Sequence, residues 1–199
     1  MQLFFSPTSP YVRKVLVAAL ELGIGDRIEK LASAAHPINR DPTIIASNPL
    51  GQVPTLIADD GTVVADSRVI LSYLNDLAGG TLLPADPKAR LRAEIDQSLA
   101  DGITVAALLV RYETAARPAE RLWPEWVAGQ WDKVRTTLAH FEANPPGARI
   151  DVGTIALACA LSYLDFRFPD HGWRDSCPAL AAWYAAFEQR PSMAATRLA

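Results

Sequence analysis

The sequence predicts an α/β domain followed by an all-helical domain, and three observations carry that reading. Short apolar runs and helical periodicity alternate over the first part of the chain. Gly79-Gly80-Thr81-Leu82-Leu83-Pro84 then breaks the composition. Beyond it, only long amphipathic stretches follow. The expected domains are residues 1–78 and residues 86–199.

Residues 2–5 read as a short strand. From Val12, the apolar positions Val12, Val15, Leu16, Ala19 and Leu20 fall at i, i+3, i+4, i+7 and i+8, the spacing of a helix with one buried face. Gly23 and Gly25 end that helix, and 28–32 can form a second strand. Residues 36–48, rich in Pro, Asn and Asp, make a loop or broken helix. Two strands at 55–59 and 63–65, joined by the turn Asp59-Asp60-Gly61-Thr62, and a helix at 67–77 complete the order β-α-β-loop-β-β-α. This is a mixed sheet covered by helices, in the thioredoxin-like order.

In the second part, Asp86-Pro87 supplies a cap followed by Pro at the first helical position. Helical stretches run over about 87–117 and 119–144, where Asn144-Pro145-Pro146-Gly147 forces a stop. Two more are expected at 152–168 and 178–189. Asp151 at the cap, Thr154 at the third position, and Ile150 with Ile155 as an apolar staple mark a well-fixed helix start.

With 199 residues, half of them hydrophobic, the chain can bury a substantial core. A net charge of −3 with both signs scattered gives no basic footprint for nucleic acid and no polybasic anchor for a membrane surface. No apolar run reaches spanning length, and the N-terminal run is too short for a signal peptide, so a cytoplasmic protein is expected. Cys159 and Cys177 lie outside any Cys-x-x-Cys pattern and read as buried structural thiols. The three histidines, His36, His140 and His171, are isolated, and no metal-ligand cluster, phosphate loop or Gly-x-Ser-x-Gly element is present. No metal is expected.

The most informative stretch is Asn48-Pro49-Leu50-Gly51-Gln52-Val53-Pro54-Thr55-Leu56, followed after one hairpin by Asp66-Ser67. Pro54 cannot donate a ladder hydrogen bond and so belongs at a strand start, where a cis bond would leave Val53 unpaired. The free amide and carbonyl of Val53 suit antiparallel pairing with the backbone of a small peptide. Downstream, the helix start at Ser67 suits a carboxylate and Asp66 suits an ammonium group. Together they would hold both charges of an amino-acid head group.

This arrangement resembles the glutathione-binding half of the glutathione transferase family, whose thioredoxin-like domain carries a cis-proline after a Val and an acid-Ser pair. Cys177-Pro178-Ala179-Leu180-Ala181-Ala182-Trp183-Tyr184, ending in Gln189-Arg190-Pro191-Ser192-Met193, resembles the family's closing helix. At the 152–168 helix the family usually has Ser or Thr at the cap and Asp at the third position. This chain carries the two types swapped, and Thr154 has a shorter reach back to the cap amide. The resemblance covers nearly the whole chain, most strongly at 1–75 and 150–193. It implies a cytoplasmic, homodimeric, detoxifying enzyme that takes glutathione as co-substrate and joins its thiol to a small hydrophobic electrophile.

Carried over residue by residue, the resemblance makes Gln52, Val53, Asp66 and Ser67 the glutathione-binding positions, with Gln52 at the tripeptide's glycine end. Ser9 matches the activating position, because Ser9-Pro10-Tyr11 aligns with the family's hydroxyl-or-thiol, Pro, aromatic pattern. Ser9 with Pro10 also fits a plain helix cap, and Ser6 and Thr8 carry hydroxyls in the same loop. His36 is a further loop residue near the glycine end. A serine forms no mixed disulfide, so the match implies conjugation rather than thiol-disulfide exchange. The electrophile pocket is expected between the domains, near Tyr11, Arg111, Tyr112, Trp123 and Trp126. Two other readings stay open: a non-enzymatic member serving regulation or partner binding, and a glutathione-dependent isomerase or dehalogenase using the same site.

Overall fold

The computed structural model describes residues 1–199. Cα packing divides them into two units, Met1–Arg90 with Pro191–Ala199, and Leu91–Arg190. Residues 191–199, expected in the helical domain, thus group with the first unit. The reason lies in Arg13, whose guanidinium donates to the Met193 carbonyl, and in the packing of the last helix against the first.

The first unit holds β1 (Gln2–Phe5), α1 (Pro10–Glu21), β2 (Glu29–Ala32), α2 (Pro42–Ile45), β3 (Thr55–Ile57), β4 (Val63–Val64) and α3 (Ser67–Ala78). The sheet order is β2-β1-β3-β4, with β1 parallel to β2 and antiparallel to β3, and β3 antiparallel to β4. This is the expected mixed sheet. Leu3 and Leu56 from the strands, Val12, Val15 and Leu16 from α1, and Ile70, Leu71 and Leu74 from α3 are buried together as its core. The strands at 55–59 and 63–65 are shorter than expected. Asp59 leaves the ladder to take the N-terminal ammonium at 2.6 Å and the Arg27 guanidinium at 2.8 Å.

Arg13 and Lys14, two cations of α1, are both buried. The C-terminal segment, with its short helix Pro191–Ala194, lies against α1 and covers Arg13.

The second unit is helical. It contains most of α4 (Pro87–Ala115), then α5 (Pro124–Ala143), α6 (Val152–Arg167), α7 (Trp173–Ser176) and α8 (Pro178–Phe187); Pro191–Ala194 of the first unit is α9. Every residue from Asp151 to Leu161 is buried, as expected of a helix that is apolar all round. α5 starts later than the expected 119 because Pro118 and Pro124 bracket a 3₁₀ turn, Ala119–Arg121. The short α7 had no periodicity long enough to signal it. It is fixed by the buried Trp173, whose indole donates to Asp165 at 2.8 Å.

At the start of α6 the swapped pair closes a full capping box. The Thr154 amide donates to Asp151 Oδ1 at 2.9 Å, and the Asp151 amide donates to Thr154 Oγ1 at 3.0 Å. The shorter side chain reaches after all.

Candidate active site

Strand register brings the sequence-marked residues to one edge of the sheet. Phe4 pairs with Thr55, so the loop leaving β1 toward Ser9 runs beside the residues that enter β3, Val53 and Pro54. Leu56 pairs with Val64, so β4 runs out toward Asp66 and Ser67 at that same edge. Three loops far apart in sequence therefore meet because the sheet pairs antiparallel on both flanks of β3.

The 48–55 loop is held by a small buried network. Asn48 Nδ2 donates to Thr55 Oγ1 at 2.8 Å, and Thr55 Oγ1 donates to the Gln52 carbonyl at 2.7 Å. Asn48 Oδ1 accepts from the Leu50 amide at 3.0 Å. Arg40 Nη2 clips the loop from outside through the Pro49 carbonyl at 2.6 Å. Gly51 has φ +62°, and a Cβ there would lie 3.0 Å from Ile45 Cγ1, so the turn favours glycine. With the loop fixed this way, the Val53–Pro54 peptide is cis. The Val53 amide and carbonyl take no part in the chain's own hydrogen bonds. Gln52 is exposed beside it. Asn48 and Thr55 were missed as site-building residues; the sign that pointed to them is two small polar side chains flanking a Pro-led strand.

Ser9 caps α1. Its Oγ accepts from the Val12 amide at 3.3 Å, which leaves the hydroxyl proton to be donated elsewhere. Ser6 and Thr8 turn toward each other, with their hydroxyls 3.4 Å apart. Of the three hydroxyls in the loop, Ser9 is the one at the helix N-terminus.

Asp66 caps α3 through the Arg68 amide at 2.9 Å and pairs with the Arg68 guanidinium at 3.2 Å. Partial burial works to raise its pKa, but the Arg68 side-chain and backbone hydrogen bonds outweigh it, and the carboxyl lies below its ordinary value. It is a carboxylate at neutral pH. Ser67, the first residue of the helix, is buried against the sheet. His36 Nδ1 accepts from the Ile38 and Asn39 amides at 3.2 and 3.0 Å, which spends that nitrogen on its own turn.

Two family models match this architecture: the glutathione S-transferase N-terminal domain over residues 8–77 and the C-terminal domain over residues 124–186. The chain belongs to the glutathione S-transferase family. The uncharacterized GST-like protein YibF of Escherichia coli is 34% identical, with 98% of each chain covered. A glutathione transferase family member from Pseudomonas fluorescens Pf-5, solved with bound glutathione, is 48% identical with a TM-score of 0.97, covering 100% of this chain and 98% of that one. A second structure of a glutathione transferase family member from that organism, with bound S-(propanoic acid)-glutathione, is 47% identical with a TM-score of 0.92 and full coverage of both chains.

Ser9, Val53, Asp66 and Ser67 all lie inside the N-terminal family match. Of the residues expected around an electrophile, Tyr11 sits on α1 with the Lys14 ammonium 5.5 Å from its ring. Arg111 and Tyr112 belong to α4, and Trp126 to α5. Burial pushes the Tyr112 hydroxyl above its ordinary pKa. Trp123 is largely exposed, and its amide donates to Glu113. Both cysteines are free and buried. No group of histidine, cysteine, aspartate or glutamate side chains is arranged to hold a metal ion, and no helix is long and apolar enough to cross a membrane.

Proposed function

We propose that this glutathione S-transferase family member binds glutathione along Val53 and joins its thiol to a small, largely apolar electrophile, with Ser9 as the activating residue. The reading rests chiefly on the Ser9 geometry. A hydroxyl that accepts from Val12 N–H at the start of α1 has its proton left to give, and it stands at the edge where the free backbone of Val53 lies. The two relatives from Pseudomonas fluorescens, one with glutathione and one with a glutathione thioether, support the choice of ligand.

In this reading the tripeptide backbone pairs antiparallel with Val53. Asp66 takes the α-ammonium group, the start of α3 at Ser67 takes the adjoining carboxylate, and Gln52 reaches the glycine end. A free thiol with a pKa near ~8.5 is only a few per cent ionised at neutral pH. One hydrogen bond to a charged sulfur contributes roughly 1.5 to 3 kcal/mol. At about 1.4 kcal/mol per pKa unit, Ser9 lowers the thiol by about one to two units. The thiolate then attacks the electrophilic carbon: the C–S bond forms while the leaving group departs with its electron pair, or while a π pair shifts to the neighbouring carbon and is protonated.

The cytoplasm is the proposed location. A homodimer is the proposed assembly, and light scattering would read it. Exposed Leu91 and Ile95, four residues apart on α4, are apolar side chains that a second copy would cover.

The deciding experiment follows thiolate ultraviolet absorbance of bound glutathione from acid to mild alkali, in the wild type and in Ser9→Ala. The expected result is a thiol that ionises about one to two units below free glutathione, with most of that shift lost in the variant. Binding with an unshifted thiol, or no binding, removes the transferase reading.

A further inference from the structure

Arg13 is a long cation only 4% exposed. Its Nη2 donates to the Met193 carbonyl at 3.0 Å and its Nε to Thr196 Oγ1 at 3.4 Å. The Ala199 amide, farther along the same segment, donates to the Pro7 carbonyl at 3.4 Å. The C-terminal segment therefore lies along the loop that carries Ser9. Between loop and segment is a cleft of about 60 Å³, walled by Ser6, Ser9, Arg13, Lys30, Thr196 and Arg197 among others.

Three of its wall residues, Arg13, Lys30 and Arg197, are cationic and none is acidic. Arg13 cannot shed its charge and is fixed by its bonds to the segment. The Lys30 ammonium rests 4.9 Å from the Phe5 ring, another wall residue, and Ser6 adds a hydroxyl; the Thr196 hydroxyl donates to the Ser192 carbonyl at 2.8 Å. Such a setting suits an anion, and the volume admits a group of a few heavy atoms rather than a tripeptide.

Topology separates this cleft from the glutathione-binding residues. Lys30 is on β2, one flank of β1, while Val53, Asp66 and Ser67 belong to the β3–β4 flank. Ser9 is common to both. Since Ser9 also lines the cleft, an occupant of the cleft would approach a thiol held at Ser9 from the β2 side. We infer that this cleft is a carboxylate subsite for the electrophile, with Lys30 and Arg197 as its specificity-determining residues. The preferred second substrates then have an apolar reacting carbon and a carboxylate on a short arm. This inference rests on the transferase reading above.

Iodoacetate and iodoacetamide make the test, since they share one reaction and differ in charge. In both, thiolate sulfur attacks the CH₂ carbon, the C–S bond forms as C–I breaks, and iodide leaves with the bonding pair. Turnover of each with glutathione is measured above the uncatalysed rate for the wild type and for Lys30→Gln, Arg197→Gln and the double variant. Both positions are exposed, so the substitutions leave the core alone. The expected result is a fall of about tenfold in the iodoacetate-to-iodoacetamide ratio of kcat/KM in the double variant, carried by the KM for iodoacetate. An unchanged ratio, with iodoacetamide still turned over, overturns the carboxylate subsite and leaves the transferase reading standing. Turnover of neither compound by the wild type overturns both.

Discussion

Thr55 is wholly buried, and its single hydroxyl does two jobs, accepting from Asn48 and donating to the Gln52 carbonyl. Replacing it by Val keeps the shape and removes both bonds, leaving a buried amide donor without its 2.8 Å partner. Unsatisfied buried polar groups of this kind cost about 1–3 kcal/mol. Thr55→Val is expected to lower stability by that amount in urea unfolding followed by circular dichroism, and to weaken glutathione binding, because the same bonds set the backbone on either side of Val53. Thr55→Ser, which keeps the hydroxyl, should retain most of the binding. If Val and Ser bind glutathione equally well, the network does not position the loop. Little of this was legible beforehand. The motif marked Val53 and Pro54, but the role of Thr55 depends on Asn48 folding back across seven residues, and a propensity argument does not see that contact. Ser9 was legible as a cap, since Ser followed by Pro is a local signal; its free proton was not, because that depends on where the Val12 amide points.

α6 shows how an element fixes its own start. Asp151 is 3% exposed and carries three duties: its carboxylate accepts from the Thr154 amide, its own amide donates to the Thr154 hydroxyl, and it pairs with Arg149 at 2.9 Å. Arg149 also pairs with the buried Asp96 of α4. Asp151→Ala removes the cap and one partner of Arg149. Loss of the cap alone costs about 0.5–2 kcal/mol, so the total should reach at least the upper part of that range. Asp151→Asn keeps the cap and loses only the charge, and it should recover more than half of the stability; equal losses for the two would place the energy in the ion pair instead. Gly153 shows why α6 tolerates no bulk at this turn: a Cβ there would lie 2.6 Å from the Ala93 carbonyl. α1 was readable from its spacing and the start of α6 from its cap residues, because both signals are local. The return of residues 191–199 to α1 was not. It depends on a guanidinium and a backbone carbonyl 180 residues apart, a contact that no local pattern signals.

Across the whole chain, the groups with displaced ionisation act in two pH windows. Hydrogen bonds hold the carboxyls of Asp41, Asp59 and Asp60 below their ordinary value: from the Ala34 amide, from the N-terminal ammonium with Arg27, and from the Thr62 amide, respectively. Their contribution to stability is present above the unfolded value of 3.8 and is lost only in stronger acid. His171 differs. Burial lowers its pKa from 6.5; its ring stacks on Trp131 at 4.3 Å, and its buried Nδ1 has no hydrogen-bond partner. The unfolded chain protonates this residue near 6.5 while the folded chain resists, so below that pH the unfolded state binds more protons. Stability from His171 is thus complete above 6.5 and declines as the pH falls through the folded value. All five tryptophans lie between 123 and 183, inside the second unit, so their fluorescence reports the unit that contains His171. Urea midpoints read by tryptophan fluorescence should be level from pH ~8 to ~7 and fall from about 6.5 toward 5, a range in which the aspartates above remain charged. His171→Phe keeps a ring against Trp131 and removes the titrating group, and its midpoints should fall less over the same range. Parallel curves for the two proteins would assign the acid sensitivity of the second unit to other groups.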